Sequence, residues 1–296
     1  PGLVPLPADF KGARNAQGQA LPVQHVGDEL MTEVTAPSCG WTTVYPADPA
    51  EVPNTIRATD RSLENDLIKV VFNDSGEIVS LIDKAAGDVE MMTAPGNHFE
   101  MYKDVPSLFD AWDIDKMYEA TPVDLDPAAT VELIHAGPLV ATLRVTRTLH
   151  NSTLTQEVSL RRNSRRLDFR TTVEWNERHK LLKVAFPVNV HANEAIHEIQ
   201  FGHIARPNHR SRPFDADRFE VANHKWTALV QSDGGAAVLN DCKYGVNVLG
   251  DTIKLTLLKA ALAPDMHADQ GTQTFTYGFY VWQGSFGDSA LVREGY

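Results

Sequence analysis

Apolar and polar side chains alternate along much of this chain, the period of an extended strand rather than a helix. In "RRLDFRTTVEW", Leu167, Phe169, Thr171, Val173 and Trp175 share one parity, and Asp168, Arg170, Thr172 and Glu174 share the other. "LLKVAFPVNV" places Leu182, Val184, Phe186, Val188 and Val190 on one face. Pro187 falls on the opposite parity, where its missing N–H predicts an edge or a bulge. "TFTYGFYVW" repeats the pattern with Phe275, Tyr277, Phe279 and Val281. Turn-forming residues separate these runs: "NDSGEI" around Asp74–Gly76, "HAGPL" at 135–139, "SDGGAA" at 232–237 and "LGDTI" at 249–253. "RRNSRR" at 161–166 sits between two alternating runs and reads as a charged hairpin turn. Many strands at short spacing, with hardly any sustained helical period, predict an all-β fold built as a large β-sandwich.

A boundary is visible in the same pattern. "YPADPAEVPNTIRATD" (45–60) carries Pro46, Pro49 and Pro53 without any period, as a linker would. Upstream, "ALPVQHV" and "ELMTEVTA" offer too few strands for a core of their own. The expected organisation is a small, partial β domain with its linker over 1–58 and a large sandwich over 59–296. The first residue is Pro and the last segment has no terminal signature, so a piece of a longer chain is expected.

Composition narrows the functional classes. A formal charge of −12, with 39 acidic against 27 basic residues, repels a phosphate backbone, so no nucleic-acid partner is expected. No apolar run is long enough for a membrane helix. Cys39 and Cys242 stand far apart without CxxC spacing, which suits a reducing cytoplasm.

Three stretches bear candidate chemistry. "FDAWDID" (109–115) carries Asp110, Trp112, Asp113 and Asp115. In a strand, carboxylates two residues apart face one way at roughly 6–7 Å, within the range of glycosidase acid pairs. The same residues also suit a ligand or interdomain contact, or a solvated turn pinned by Trp112; all three readings stay open. "VLNDCKYG" (238–245) offers Asn240 and Asp241 for hydroxyls and Tyr244 as a stacking face, although Asn and Asp favour such turns for local reasons alone. His191, His197, His203 and His209 recur every six residues. Six residues of strand span about 20 Å, so neighbours could not chelate one metal, and the spacing reads as coincidence. HExxH, G-x-S-x-G, Walker and GxGxxG patterns are absent, so no metal site or cofactor of the chain's own is expected.

Taken jointly, "LENDLIKVVFNDSGEIVSLIDKAAGDVEM" (63–91), "FDAWDID", "HKLLKVAFPVNVHANEAIHEIQFGHIARPNHR" (179–210), "RFEVANHKW" (218–226) and "LNDCKYGVNVLGDTIKLTLLKA" (239–260) resemble the C-terminal β region of α-mannosidases of glycoside hydrolase family 38. The resemblance covers 60–296 in order. It implies a galactose-mutarotase-like supersandwich and a longer parent that cleaves α-linked mannose with a divalent metal, usually zinc. It also implies that the nucleophile and metal ligands lie in a preceding α/β domain followed by a helical bundle. These would be this chain's partners, with a mannose-containing carbohydrate and a homo-oligomeric contact as further expectations. The resemblance puts the substrate rim at "FDAWDID", "NDCKYG" and the loop 257–271, with Lys259 and Asp265 in the last. Where the family commonly has Arg, a small residue and Pro, this chain has Lys259-Ala260-Ala261, which weakens an arginine-type sugar contact. Two rivals remain: a carbohydrate-binding module with Trp112, Tyr244 and Trp226 as platforms, and a scaffold without a ligand.

Overall fold

The computed structural model describes residues 2–296. Two antiparallel sheets dominate it. The larger has nine strands, in the order Ala129–Ala136, Val140–Leu149, Ser152–Arg161, Arg166–Trp175, Gly271–Gln283, Gly234–Asn240, Trp226–Gln231, Glu194–Ile199 and Gly202–Pro207. The smaller has six: Pro122–Val123, His98–Lys103, Lys180–Pro187, Thr252–Lys259, Gly245–Leu249 and Val221–Ala222. A five-stranded sheet over Arg57–Glu90 extends the same core through Leu63, Ile68, Val70, Phe72, Ile78 and Leu81.

Period-two patterning explains the packing. Leu167, Phe169, Thr171, Val173 and Trp175 are all fully buried, and Leu182, Val184 and Phe186 of the smaller sheet, with Val188 and Val190 just past its strand, join them in one core. Phe186 stacks on Phe279 at 5.0 Å and Phe169 on Tyr277 at 5.0 Å, so aromatic faces fill the space between sheets. Such pairs contribute about 0.5–1.5 kcal/mol each beyond area burial. Pro187 is the last residue of its strand, where its missing N–H disrupts no ladder. On the other parity of the long strand, Tyr280 and Trp282 leave the main core and pack with Trp226, Leu239 and Leu291.

Two features lie outside the alternation rule. Between the sheets, Gln156 donates to Thr171 Oγ1 (2.8 Å) and Tyr277 Oη (2.7 Å), and accepts from Asn97 Nδ2 (2.7 Å). This network is closed on itself, which removes the penalty of burying its polar groups. The outer face of the smaller sheet is also covered, by residues around 114–121 and 209–220. There the fully buried Lys183 donates to Glu220 Oε2 and Thr256 Oγ1, each at 2.6 Å.

Before residue 57, Gly2–Pro5, Glu29–Val34 and Val23–Val26 form one small sheet, and Ala20–Leu21, Gly12–Arg14 and Tyr45–Ala47 form another. The proline-rich segment therefore contributes strand Tyr45–Ala47 to the first part and Arg57–Thr59 to the second. Gln24 ties the first part to the nine-stranded sheet: its Oε1 accepts from Leu139 and Val140 N, and its Nε2 donates to Val140 O.

Candidate functional site

Four connections cross between the two large sheets at one end of the sandwich: 176–179, 223–225, 241–244 and 260–270. The segment 104–121 leaves strand His98–Lys103 at that same end, since Lys103 lies opposite Lys180. The rim segments "FDAWDID", "NDCKYG" and the loop 257–271 therefore share one end of the molecule.

The segment holding "FDAWDID" is a chain of turns rather than a strand. Trp112 N and Asp113 N both donate to Phe109 O, at 2.8 and 2.9 Å. Of the readings left open, the turn is the one found, though Trp112 is exposed and does not pin it. Asp113 accepts only from the neighbouring Ile114 N, and Asp115 Oδ1 accepts from Met117 N. Both serve turns of an exposed loop.

Asp110 behaves differently. Its Oδ2 accepts from Leu262 N (2.7 Å), Ala263 N (3.2 Å) and His179 Nε2 (3.1 Å). Burial opposes ionisation, yet these donors hold the carboxyl below the usual carboxylate range. Asp110 thus clamps its loop onto 260–270. A second clamp lies beside it. Asp104, 1% exposed, accepts from Asp115 N through Oδ1 and pairs with Lys259 Nζ through Oδ2. His179 completes the junction, accepting from Asp104 N and donating to Ala260 O. Neither Asp104 nor His179 stood out in the sequence, because their partners are distant in the chain.

These clamps hold out large apolar side chains. Leu108, Phe109, Trp112 and Met117 are 67%, 69%, 76% and 61% exposed, and Met266 on the partner loop is 63% exposed. Asp265 accepts from His267 N in that same loop and is otherwise solvated.

The third stretch divides by residue. Asn240 is buried and fully occupied: Nδ2 donates to Asn223 Oδ1 and His224 O, and Oδ1 accepts from Lys243 N. Asp241 accepts from Thr276 N at 2.9 Å. Tyr244 is half exposed and packs on His224 at 5.1 Å. Trp226 is 1% exposed, boxed in by His203 and Phe286, so it cannot serve as a platform for a ligand.

The six-residue histidine series is scattered. His197 is buried against Thr227 Oγ1, and burial lowers its pKa to about 3. His203 lies on the next strand, packed on Phe286. Among the described residues, no group of three or more His, Cys, Asp or Glu stands close enough to hold a metal ion.

The family model described as the C-terminal domain of family 38 glycosyl hydrolases matches residues 63–267, which include "FDAWDID", "NDCKYG" and the loop 257–271 up to His267. The chain belongs to glycoside hydrolase family 38. Human alpha-mannosidase 2C1 is 38% identical over 91% of this family 38 chain, and Dictyostelium discoideum alpha-mannosidase G is 39% identical over 80%. The chain spans 27% and 22% of those two proteins, about a quarter of their length. An alpha-mannosidase from Enterococcus faecalis V583 superposes with a TM-score of 0.76 at 16% identity. That likeness, over 96% of this chain and 39% of the other, is one of fold. No helix among the described residues is long and apolar enough to cross a membrane.

Proposed function

We propose that this chain is the C-terminal β portion of a retaining, metal-dependent α-mannosidase, inactive alone. In this reading it packs under a preceding catalytic α/β domain and helical bundle and lends loops to the rim of their active site. The observation that carries it is the clamped apolar loop pair. Phe109 and Trp112 are exposed but anchored through Asp110 to Leu262 and Ala263, in a chain spanning a quarter of its relatives. Exposed apolar side chains on a fixed frame mark a surface made to be covered. The substrate would be a terminal α-mannoside, as the relatives' names suggest. The nucleophile and the zinc ligands would lie in the covering part, where a covalent glycosyl-enzyme would form and be hydrolysed. Of the rim candidates, Trp112, Asp113, Tyr244 and Asp265 have surface free to meet a sugar. Asp104 already engages Lys259, and Asn240 is spent on its own turn.

We further infer a division near residue 58 between the small β part and the large sandwich. A cytoplasmic location rests on Cys39 and Cys242, both free and exposed. A carbohydrate-binding module is the second reading, favoured by exposed Trp112 and Tyr244. Mixing this chain with the separately expressed remainder of the protein tests the first. Recovery of aryl α-mannoside hydrolysis supports it, and affinity of this chain alone for mannose oligomers, lost in Trp112→Ala, supports the second instead.

A further inference from the structure

A cavity of about 340 Å³ opens on the side of the sandwich, where the smaller sheet runs out of neighbours. The edge strand Pro122–Val123 pairs only with Met101 and Tyr102, so the stretch His98–Glu100 has no strand beside it there. Residues 124–127 then cross toward the nine-stranded sheet and form an outer lip with apolar Leu125 and Pro127.

The inner wall is charged and prearranged. Arg147 reaches in from the nine-stranded sheet, is 7% exposed, and lies 5.7 Å over the Phe99 ring. Its Nη2 donates to Asp126 O at 3.1 Å, while its Nε has no partner. Glu77, from the turn before Ile78, holds His98 Nδ1 with Oε1 at 2.6 Å and Asn73 Nδ2 with Oε2 at 2.8 Å. That leaves His98 Nε2 without a protein partner among the described residues. Glu100 Oε2 accepts from Tyr102 Oη (2.6 Å) and Lys254 Nζ (2.8 Å), leaving its Oε1 open.

The pairing selects a ligand class. The lining sets three carboxylates, Glu77, Glu100 and Asp124, against the Arg147 guanidinium and the His98 imidazole held by Glu77, with Lys254 paired to Glu100. An anion would therefore meet three carboxylates, and a cation the fixed positive donors among them. A hydroxyl can donate to the open carboxylate oxygen and accept from a guanidinium or imidazole N–H, at no cost in net charge. The volume lies at the low end of small-molecule sites, enough for one ring, and the apolar lip suits its C–H face. We propose that this cavity binds a neutral, hydroxyl-rich ring the size of a single hexose. The site shares no side chain with the clamped loops, so it stands or falls independently of the proposed function.

The test is an NMR titration of the His98 ring resonance in the purified chain, assigned with His98→Gln. D-mannose, D-glucose and inorganic phosphate are the probes. The expected result is a saturable shift with one of the hexoses in the millimolar range or tighter, and none with phosphate. Asp124→Trp, at an exposed position on the mouth, should plug the cavity and weaken binding at least about tenfold. Glu100→Gln, which keeps the shape but unbalances the charges, should weaken it too. No response to either hexose, a stronger response to phosphate, or a shift that persists in Asp124→Trp would each overturn the proposal.

Discussion

Asp104 shows how much one buried side chain can decide. It fixes Lys259 by an ion pair and Asp115 by a backbone hydrogen bond, so it holds both sides of the clamped junction. Removing one partner of a buried pair leaves the other charge uncompensated, at about 3–5 kcal/mol. Asp104→Ala should therefore lower the urea midpoint sharply. Lys259→Met added to it should restore part of the loss, because the orphaned ammonium goes with it. The Glu77–His98 contact makes a pH prediction. The hydrogen bond to Glu77 raises the His98 pKa, and the same bond lowers that of Glu77. A raised imidazole pKa contributes stability that is complete below the unfolded value of about 6.5 and lost as pH rises through the folded value. Wild-type stability should fall relative to His98→Gln across that window in urea titrations at stepped pH. His197 has the opposite sign. Held neutral down to about pH 3 by burial, it costs stability as pH falls below about 6.5, where the unfolded imidazole takes up a proton. Its ring resonance should stay fixed between about pH 8 and 5.

At the scale of elements, the alternating runs were legible because one face of each strand meets a dry core. Leu167 to Trp175 and Phe275 to Val281 occupy the faces their parity predicts. The turns at 135–139, 161–166 and 232–237 join the strands that flank them, since Gly, Asn, Asp and Pro announce local backbone geometry. Strand order left no such trace. The long strand Gly271–Gln283 sits between Arg166–Trp175 and Gly234–Asn240, a pairing of segments far apart in sequence. Lys183 falls on the parity opposite to Leu182 and Val184, yet it is buried under a cover built from two remote segments. The candidate site was legible to the same extent. "FDAWDID" carries apolar residues that protrude, and a turn was among its open readings, but the sequence could not choose it, because the turn is set by Phe109 O and by Asp110 reaching the distant Leu262. Close packing of strands yields a further prediction. A Cβ on Gly235 would come within 2.3 Å of the Trp282 ring and 2.7 Å of Leu229 O. Gly235→Ala should cost about 1–3 kcal/mol, measured by thermal or urea unfolding.

On the scale of the whole molecule, the sandwich is a platform whose loops at one end expose Leu108, Phe109, Trp112, Met117 and Met266. If that surface is covered by the rest of the protein, the isolated chain should self-associate as concentration rises. Replacing Leu108, Phe109 and Trp112 together by Ser should shift sedimentation toward monomer, with little change in the urea midpoint, because these side chains lie outside the core. The most direct measurement is hydrolysis of an aryl α-mannoside by residues 1–296, with and without added zinc, beside the full-length protein. The account predicts turnover by the full-length protein and none by the isolated chain under either condition. Zinc-dependent turnover by the isolated chain, abolished in Asp113→Asn, would contradict it and place the chemistry in the "FDAWDID" loop itself.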